Sequence, residues 1–240
     1  MRNQTRPMQH QNRLVPVCSR YATSLAFAVM PLVAQGPALD DAFAAMDRVA
    51  RQFRAVSADI KRDVYTADID DHEKDEGTIK AKRNKRDTPM LIEFRSPAEK
   101  AIALAGTTAE IYTPKTKTVQ EFGIKQGLVE RFLLIGFGES SAEVKEQYEV
   151  KFLGAEKLGP DATWRLQLVP KSPDELKYLK RAELWIGQSS GLPVKEKLYT
   201  STGGDYQLID YSNVKLNPSL PDSAVKLSLP KGVSREHPRL

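Results

Sequence analysis

Residues 53–122 are a succession of short runs. They read Phe53-Arg54-Ala55-Val56-Ser57-Ala58-Asp59-Ile60-Lys61-Arg62-Asp63-Val64-Tyr65, then Gly77-Thr78-Ile79-Lys80-Ala81-Lys82-Arg83, Met90-Leu91-Ile92-Glu93-Phe94, Ile102-Ala103-Leu104-Ala105-Gly106, Glu110-Ile111-Tyr112-Thr113-Pro114 and Thr118-Val119-Gln120-Glu121-Phe122. Each is apolar or β-branched at alternate positions and is bounded by Gly, Pro, Asp or a charge cluster. That pattern predicts strands with one buried face, the front half of one curved antiparallel sheet.

Upstream, Leu39, Phe43, Met46, Ala50 and Phe53 recur at spacings of four, three, four and three, one stripe of an amphipathic helix. Asp40 or Asp41 is expected near its N-terminus, where the helix dipole favours an acid. The helix-to-strand change is expected between residues 55 and 58. Residues 1–38 read as a targeting leader, because Arg2, Arg6, Arg13 and Arg20 stand with no acid before an apolar run over residues 21–34. Gly36 and Ala38 offer a cleavage site before Leu39, and Ala34 offers a second. A short membrane anchor is the rival reading, since Pro31 interrupts the apolar run and the basic segment is long.

The chain carries a formal net charge of +5, and removing the four leader arginines leaves +1, so no nucleic-acid surface is indicated. The only cysteine, Cys18, falls in the leader. A mature domain over residues 39–240 is therefore expected to rely on its apolar core, and about two hundred residues suffice for one.

Downstream, residues 68–76 form an acidic run that reads as a solvated hairpin loop. Counted from Asp68 it has Glu73 where a calcium loop needs Gly and Ile79 where it needs Glu. The alternation stops at residues 124–149. Leu128, Val129, Phe132 and Leu133 make a short, strongly apolar helix followed by Gly136-Phe137-Gly138, which is either core packing or a movable lid. Ser140-Ser141-Ala142-Glu143 offers a capping box for a second helix reaching about Gln147. Strands resume over residues 148–154, 164–169, 178–186, 193–200, 206–214 and 224–229, with turns at 188–191 and 202–205. The fold class expected is mainly β with α, an incomplete antiparallel barrel of about eleven strands in a single domain. His72 and His237 stand beside no nucleophile or ligand cluster, and no Walker, dinucleotide or serine-elbow motif occurs, so neither an enzyme, a metal site nor a cofactor is expected.

The order of these parts resembles the periplasmic lipoprotein carriers of the LolA type and their sorting-protein relatives. The likeness runs through the helix into Phe53-Arg54-Ala55-Val56-Ser57-Ala58, through Gly77 to Arg83, Met90 to Phe94 and Ala109 to Pro114. It continues through Phe132-Leu133-Leu134-Ile135-Gly136-Phe137-Gly138, Tyr148-Glu149-Val150, Leu184-Trp185-Ile186 with Gly191-Leu192-Pro193, Asp210-Tyr211-Ser212-Asn213 and Leu229-Pro230-Lys231-Gly232-Val233. It covers nearly all of the chain after the leader.

The resemblance implies a periplasmic carrier that holds the acyl chains of lipoproteins, or another lipid, on a concave apolar face and delivers them toward the outer membrane. An inner-membrane releasing complex and an outer-membrane acceptor would be its partners. Met90, Ile92, Phe94, Ile102, Leu104, Leu166 and Leu184 would bind the chains; Leu128, Val129, Phe132 and Leu133 would form the lid; Arg83 would latch it. The proline usual after that arginine is Asn84 here, which places the sorting relatives nearer than the principal carrier. A periplasmic lipoprotein sensor of the same fold is the alternative, though such sensors are normally part of a longer anchored chain.

Overall fold

The computed structural model describes residues 35–125, 128–200 and 203–238. Residues 1–34 of the leader expected over 1–38, with Cys18 and the four arginines, and Thr202 of the expected turn lie outside the described residues. In chain order the elements are α1 (Gln35–Gln52), β1 (Ala55–Thr66), β2 (Asp71–Lys82), β3 (Met90–Ser96), β4 (Lys100–Ala105), β5 (Thr108–Thr113) and β6 (Thr118–Gly123). There follow α2 (Leu128–Leu133), α3 (Ser141–Gln147), β7 (Tyr148–Leu158), β8 (Asp161–Pro170), β9 (Leu179–Gly187), β10 (Pro193–Thr200), β11 (Tyr206–Leu216) and β12 (Ser234–Glu236).

All the strands join one sheet in the order β12-β6-β5-β4-β3-β2-β1-β11-β10-β9-β8-β7, with β12 and β7 at its edges. The sheet does not close on itself, and its inner face is covered by helices, as an incomplete barrel requires. Every pairing is antiparallel except that of the short β12 with β6. Two long neighbours, β1 and β11, bring the N-terminal and C-terminal halves together.

The inner face holds two apolar clusters. One joins Ile60, Ile79, Met90, Ile92, Phe94 and Ile209 to Leu134 and Phe137. The other joins Phe152, Leu166, Leu168, Leu184 and Ile186 to Phe43, Met46 and Ile135. Helix α1 spans both, since Val49, with Phe53 just past its end, enters the first cluster while Phe43 and Met46 enter the second. Its approach is close: a Cβ on Gly191 would stand 2.6 Å from the Ala45 carbonyl oxygen, and Gly191 has φ +70°. Asn217 fixes the helix-to-strand corner by accepting from the Arg54 and Ala55 amides at 2.7 and 3.1 Å and donating to the Gln52 carbonyl at 2.8 Å.

Several expectations are corrected. Helix α1 starts at Gln35, so Asp40 and Asp41 fall in its second turn and no acid lies in the first. The acidic run is no loop: residues 71–76 are the first half of β2, and only residues 67–70 turn. Cross-strand charge explains this, because Asp75 pairs with Arg62, and Glu76 with Lys61 at 3.0 Å. Residues 224–229 are not a strand. A 3-10 turn, Asp222–Val225, buries Val225, and Lys82 Nζ donates to Asp222 and to the Leu220 carbonyl at 2.6 and 2.8 Å. The twelfth strand, β12, comes instead from the tail.

Candidate functional site

Between α2 and the inner face of the sheet's first half lies an apolar cavity of about 230 Å³. Ile92, Phe94, Ile102 and Leu104 line it from the sheet, and Val129 and Leu133 line it from α2. Alternation supplies the first set, because residues two apart share a face. The helical period supplies the second, because residues four apart share a stripe. Sequence reasoning missed Ile60, Ile79, Ile111 and Ile209, which also line it. The signal was present in β1, β2, β5 and β11, whose alternation is as regular as that of β3. Among the described residues the polar lining comes from Arg62, Gln207 and the Tyr211 phenol. Arg62 is held over the Phe94 ring, 4.7 Å from its centroid, and pairs with the buried Asp75.

The other expected acyl-binding residues lie elsewhere. Met90 is on the cavity's face but fully buried in its cluster, beyond the lining. Leu166 and Leu184 are fully buried in the second cluster. They point to the correct side of the sheet, but in the half that α1, Ile135 and Phe132 fill. Helix α2 is thereby divided: Val129 packs on the first cluster, Phe132 on the second and Leu133 on both, while Leu128 is buried.

The segment after α2 is held down by directed contacts. Arg83, just past β2, donates from Nη2 to the Gly138 carbonyl at 2.7 Å, and its guanidinium lies 4.9 Å from the Phe53 ring centroid. A Cβ at Gly138 would come within 2.5 Å of Phe53 Cδ1 and 2.8 Å of Arg83 Nη2, so only glycine lets the backbone reach the guanidinium. Arg131 of α2 makes a second tie, to Glu175 at 2.9 Å and to Gln147 Oε1 at 3.0 Å. Ser140 and Glu143 form a full capping box at the start of α3, and Asp47 of α1 accepts from the Ser141 amide and hydroxyl at 2.7 and 2.9 Å.

Beneath this segment lie carboxyls that the sequence reading did not single out. Glu196 is fully buried on β10, accepts from the Tyr211 hydroxyl at 2.8 Å through Oε2, and leaves Oε1 without a partner among the described residues. Burial pushes it up to about 8, with the Tyr211 hydrogen bond opposing and Glu139 adding. Glu139 is pushed up to about 7, chiefly by burial; Arg131 and Arg83 oppose this, while Glu143 and Glu175 add to it. Its Oε2 is also buried without a partner among the described residues. Burial likewise raises the Tyr148 phenol, whose hydroxyl is unpaired among them. Glu196 was legible in principle, since alternation with the buried Leu198 places it inward.

His72 on β2 is bonded to Asp63 on β1 at 2.8 Å, and among the described residues no three His, Cys, Asp or Glu side chains come together as a metal site. No helix among the described residues is long and apolar enough to cross a membrane.

Comparison with known proteins places the chain by family. Residues 86–218, more than half of it, match the model of a protein family described as "Uncharacterized protein". The chain belongs to that family. No curated protein matches it. Among solved structures it is similar to an uncharacterized conserved protein from Thermus thermophilus, with TM-score 0.53 and 14% identity over 81% of this chain and 98% of that one. That likeness carries the fold. The LolA superfamily is also represented among the neighbours. A LolA-superfamily protein from Nitrosomonas europaea has TM-score 0.40 and 17% identity over 78% and 97% of the two chains. A putative outer membrane lipoprotein-sorting protein domain from Vibrio parahaemolyticus has TM-score 0.42 and 13% identity over 76% and 95%.

Proposed function

We propose that this protein is an exported lipid carrier that takes up acyl chains between α2 and the first half of the sheet, with residues 128–138 as its lid. One observation carries the reading: an apolar cavity is roofed by a short helix whose own packing is split between two clusters and whose following segment is fixed by a few directed hydrogen bonds. Its volume of about 230 Å³ is below the ~300–1,000 Å³ usual for small-molecule sites, as a closed, empty carrier would have it. Loading then requires α2 to lift. Each methylene buried gains roughly 0.8 kcal/mol, enough to offset the lost lid contacts after a few carbons.

The cargo is the acyl part of a lipoprotein or of a free lipid, carried in the periplasm toward the outer membrane. A releasing complex in the inner membrane and an acceptor in the outer membrane would be its exchange partners. Residues 1–38 would serve as the export leader. The test is extraction of the protein purified from its native cells, with mass spectrometry of what it held. Acyl lipid or acylated peptide at a stoichiometric level is expected. No acyl species, together with no binding of an uncharged apolar probe such as N-phenylnaphthylamine, would refute the carrier.

A further inference from the structure

We propose that closure of the 128–138 segment is coupled to proton uptake by Glu139 and Glu196, so that the cavity opens as the pH rises. The inference rests on the lid reading above and adds a control on it. The segment covers Glu196, which is fully buried, and runs directly into the half-buried Glu139, whose Oε2 is shielded from solvent. Gly136 packs against the second half of the sheet, a Cβ there standing 3.3 Å from Ile186 Cδ1 and 3.5 Å from Leu184 Cδ1, and Leu184 is the direct cross-strand partner of Glu196. Phe137 sets its ring edge-on to Tyr211 at 5.0 Å, and the Tyr211 hydroxyl donates the hydrogen bond that Glu196 accepts. Glu139 follows the segment directly. Removing residues 134–138 from the sheet would therefore give water to the Glu196 carboxyl, the Tyr211 hydroxyl and the Glu139 carboxyl together.

The groups facing these acids decide the sign. Glu139 meets Arg131 from α2, Arg83 from the end of β2, Glu143 from α3 and Glu175 from the turn before β9. The two cations are engaged elsewhere, Arg131 with Glu175 and Gln147, and Arg83 with Gly138. Glu196 meets the Tyr211 hydroxyl and Glu139, and no cation among the described residues. Tyr148 contributes a buried phenol that stays protonated and neutral. Both acids are accordingly protonated when covered and ionised when wet. A carboxyl held at about 7 or about 8 in the closed form, against 4.5 in water, binds its proton on closing. The open population thus rises about tenfold per pH unit for each acid, from its ordinary value up to its covered value. Above the covered values the effect levels off.

The experiment uses the full chain and two readouts between pH 5.5 and 8. Hydrogen exchange of residues 128–138, corrected for the intrinsic pH dependence of amide exchange, reports the open population. Affinity for N-phenylnaphthylamine, uncharged throughout this range, reports access to the cavity. Corrected protection of the segment is expected to fall at least about tenfold from pH 5.5 to 7, with probe affinity rising in parallel. Glu139→Gln should remove one proton's worth of the slope, and Glu139→Gln with Glu196→Gln should flatten it. Should the double variant not fold, the single Glu139→Gln change and the wild-type profile still decide. Protection independent of pH, or an equal slope in Glu139→Gln, overturns the coupling while leaving the lid intact. The lid itself fails by a different result: residues 128–138 exchanging as slowly as the central strands at every pH, with no probe bound.

Discussion

Replacing Arg83 by leucine tests the closed state most directly. The substitution removes a charge-assisted bond to the Gly138 carbonyl at 2.7 Å and the guanidinium contact with Phe53 at 4.9 Å, and leaves that carbonyl without its partner. A hydrogen bond to a charged group contributes roughly 1.5–3 kcal/mol. Arg83 is exposed over much of its surface, so water competes for it and the lower end applies. Leucine regains part of the packing on Phe53, which offsets the lost cation contact. About 1.5 kcal/mol remains, a factor of about ten. Because the bond exists only with the lid down, that factor belongs to the closed, empty form. Affinity for N-phenylnaphthylamine should rise about tenfold and release should slow correspondingly, and because the closed form is the folded ground state, denaturant unfolding should report a loss of about the same 1.5 kcal/mol. Arg86→Leu, an exposed neighbour in the same turn, should leave affinity unchanged. Equal affinities in wild type, Arg83→Leu and Arg86→Leu would reduce Arg83 to a strand-end arginine.

Gly138→Ala should act in the same direction as Arg83→Leu, because its methyl would stand 2.5 Å from Phe53 Cδ1 and 2.8 Å from Arg83 Nη2. Combined with Arg83→Leu it should add little, which a double-mutant cycle of probe affinities would check. Ile102→Trp should fill the cavity and weaken the probe about tenfold, since overpacking an occupied site costs ~1–3 kcal/mol. Leu184→Ala should instead lower stability by ~2–5 kcal/mol in denaturant titrations, as its side chain is fully buried in the other cluster. Glu196, raised to about 8 by burial, binds more protons folded than unfolded, so its contribution makes the protein less stable as pH rises from 4.5 toward 8. Glu196→Gln should flatten that part of a stability–pH curve measured by urea unfolding.

The strands of the first half were legible because each repeats the alternation within a few residues, and local pattern is what a sheet with one wet face imposes. The acidic half of β2 was not legible. Its residues have poor strand propensity taken singly, and it is Lys61, Arg62 and Asp63 across the ladder, with Lys100 of β4, that make them acceptable neighbours. The capping box at Ser140 was legible because it is a four-residue device, whereas β12 depends on a parallel partner more than a hundred residues away. The cavity divides the same way. Alternation names the inward face of every strand equally, so Ile92 and Leu184 are indistinguishable in sequence. What separates them is where α1 crosses: Phe43 and Met46 pack in the cluster of Leu184, and α1 ends just past Val49, leaving the face beyond Met90 to be roofed by Ile124, Val129 and Leu133. A six-residue helix cannot fill that area, and the unfilled remainder is the cavity. The same shortage explains the polar ties at Arg83 and Arg131. A roof with so few apolar contacts needs directed bonds to stay down, and directed bonds can be broken by incoming cargo without unfolding the sheet beneath.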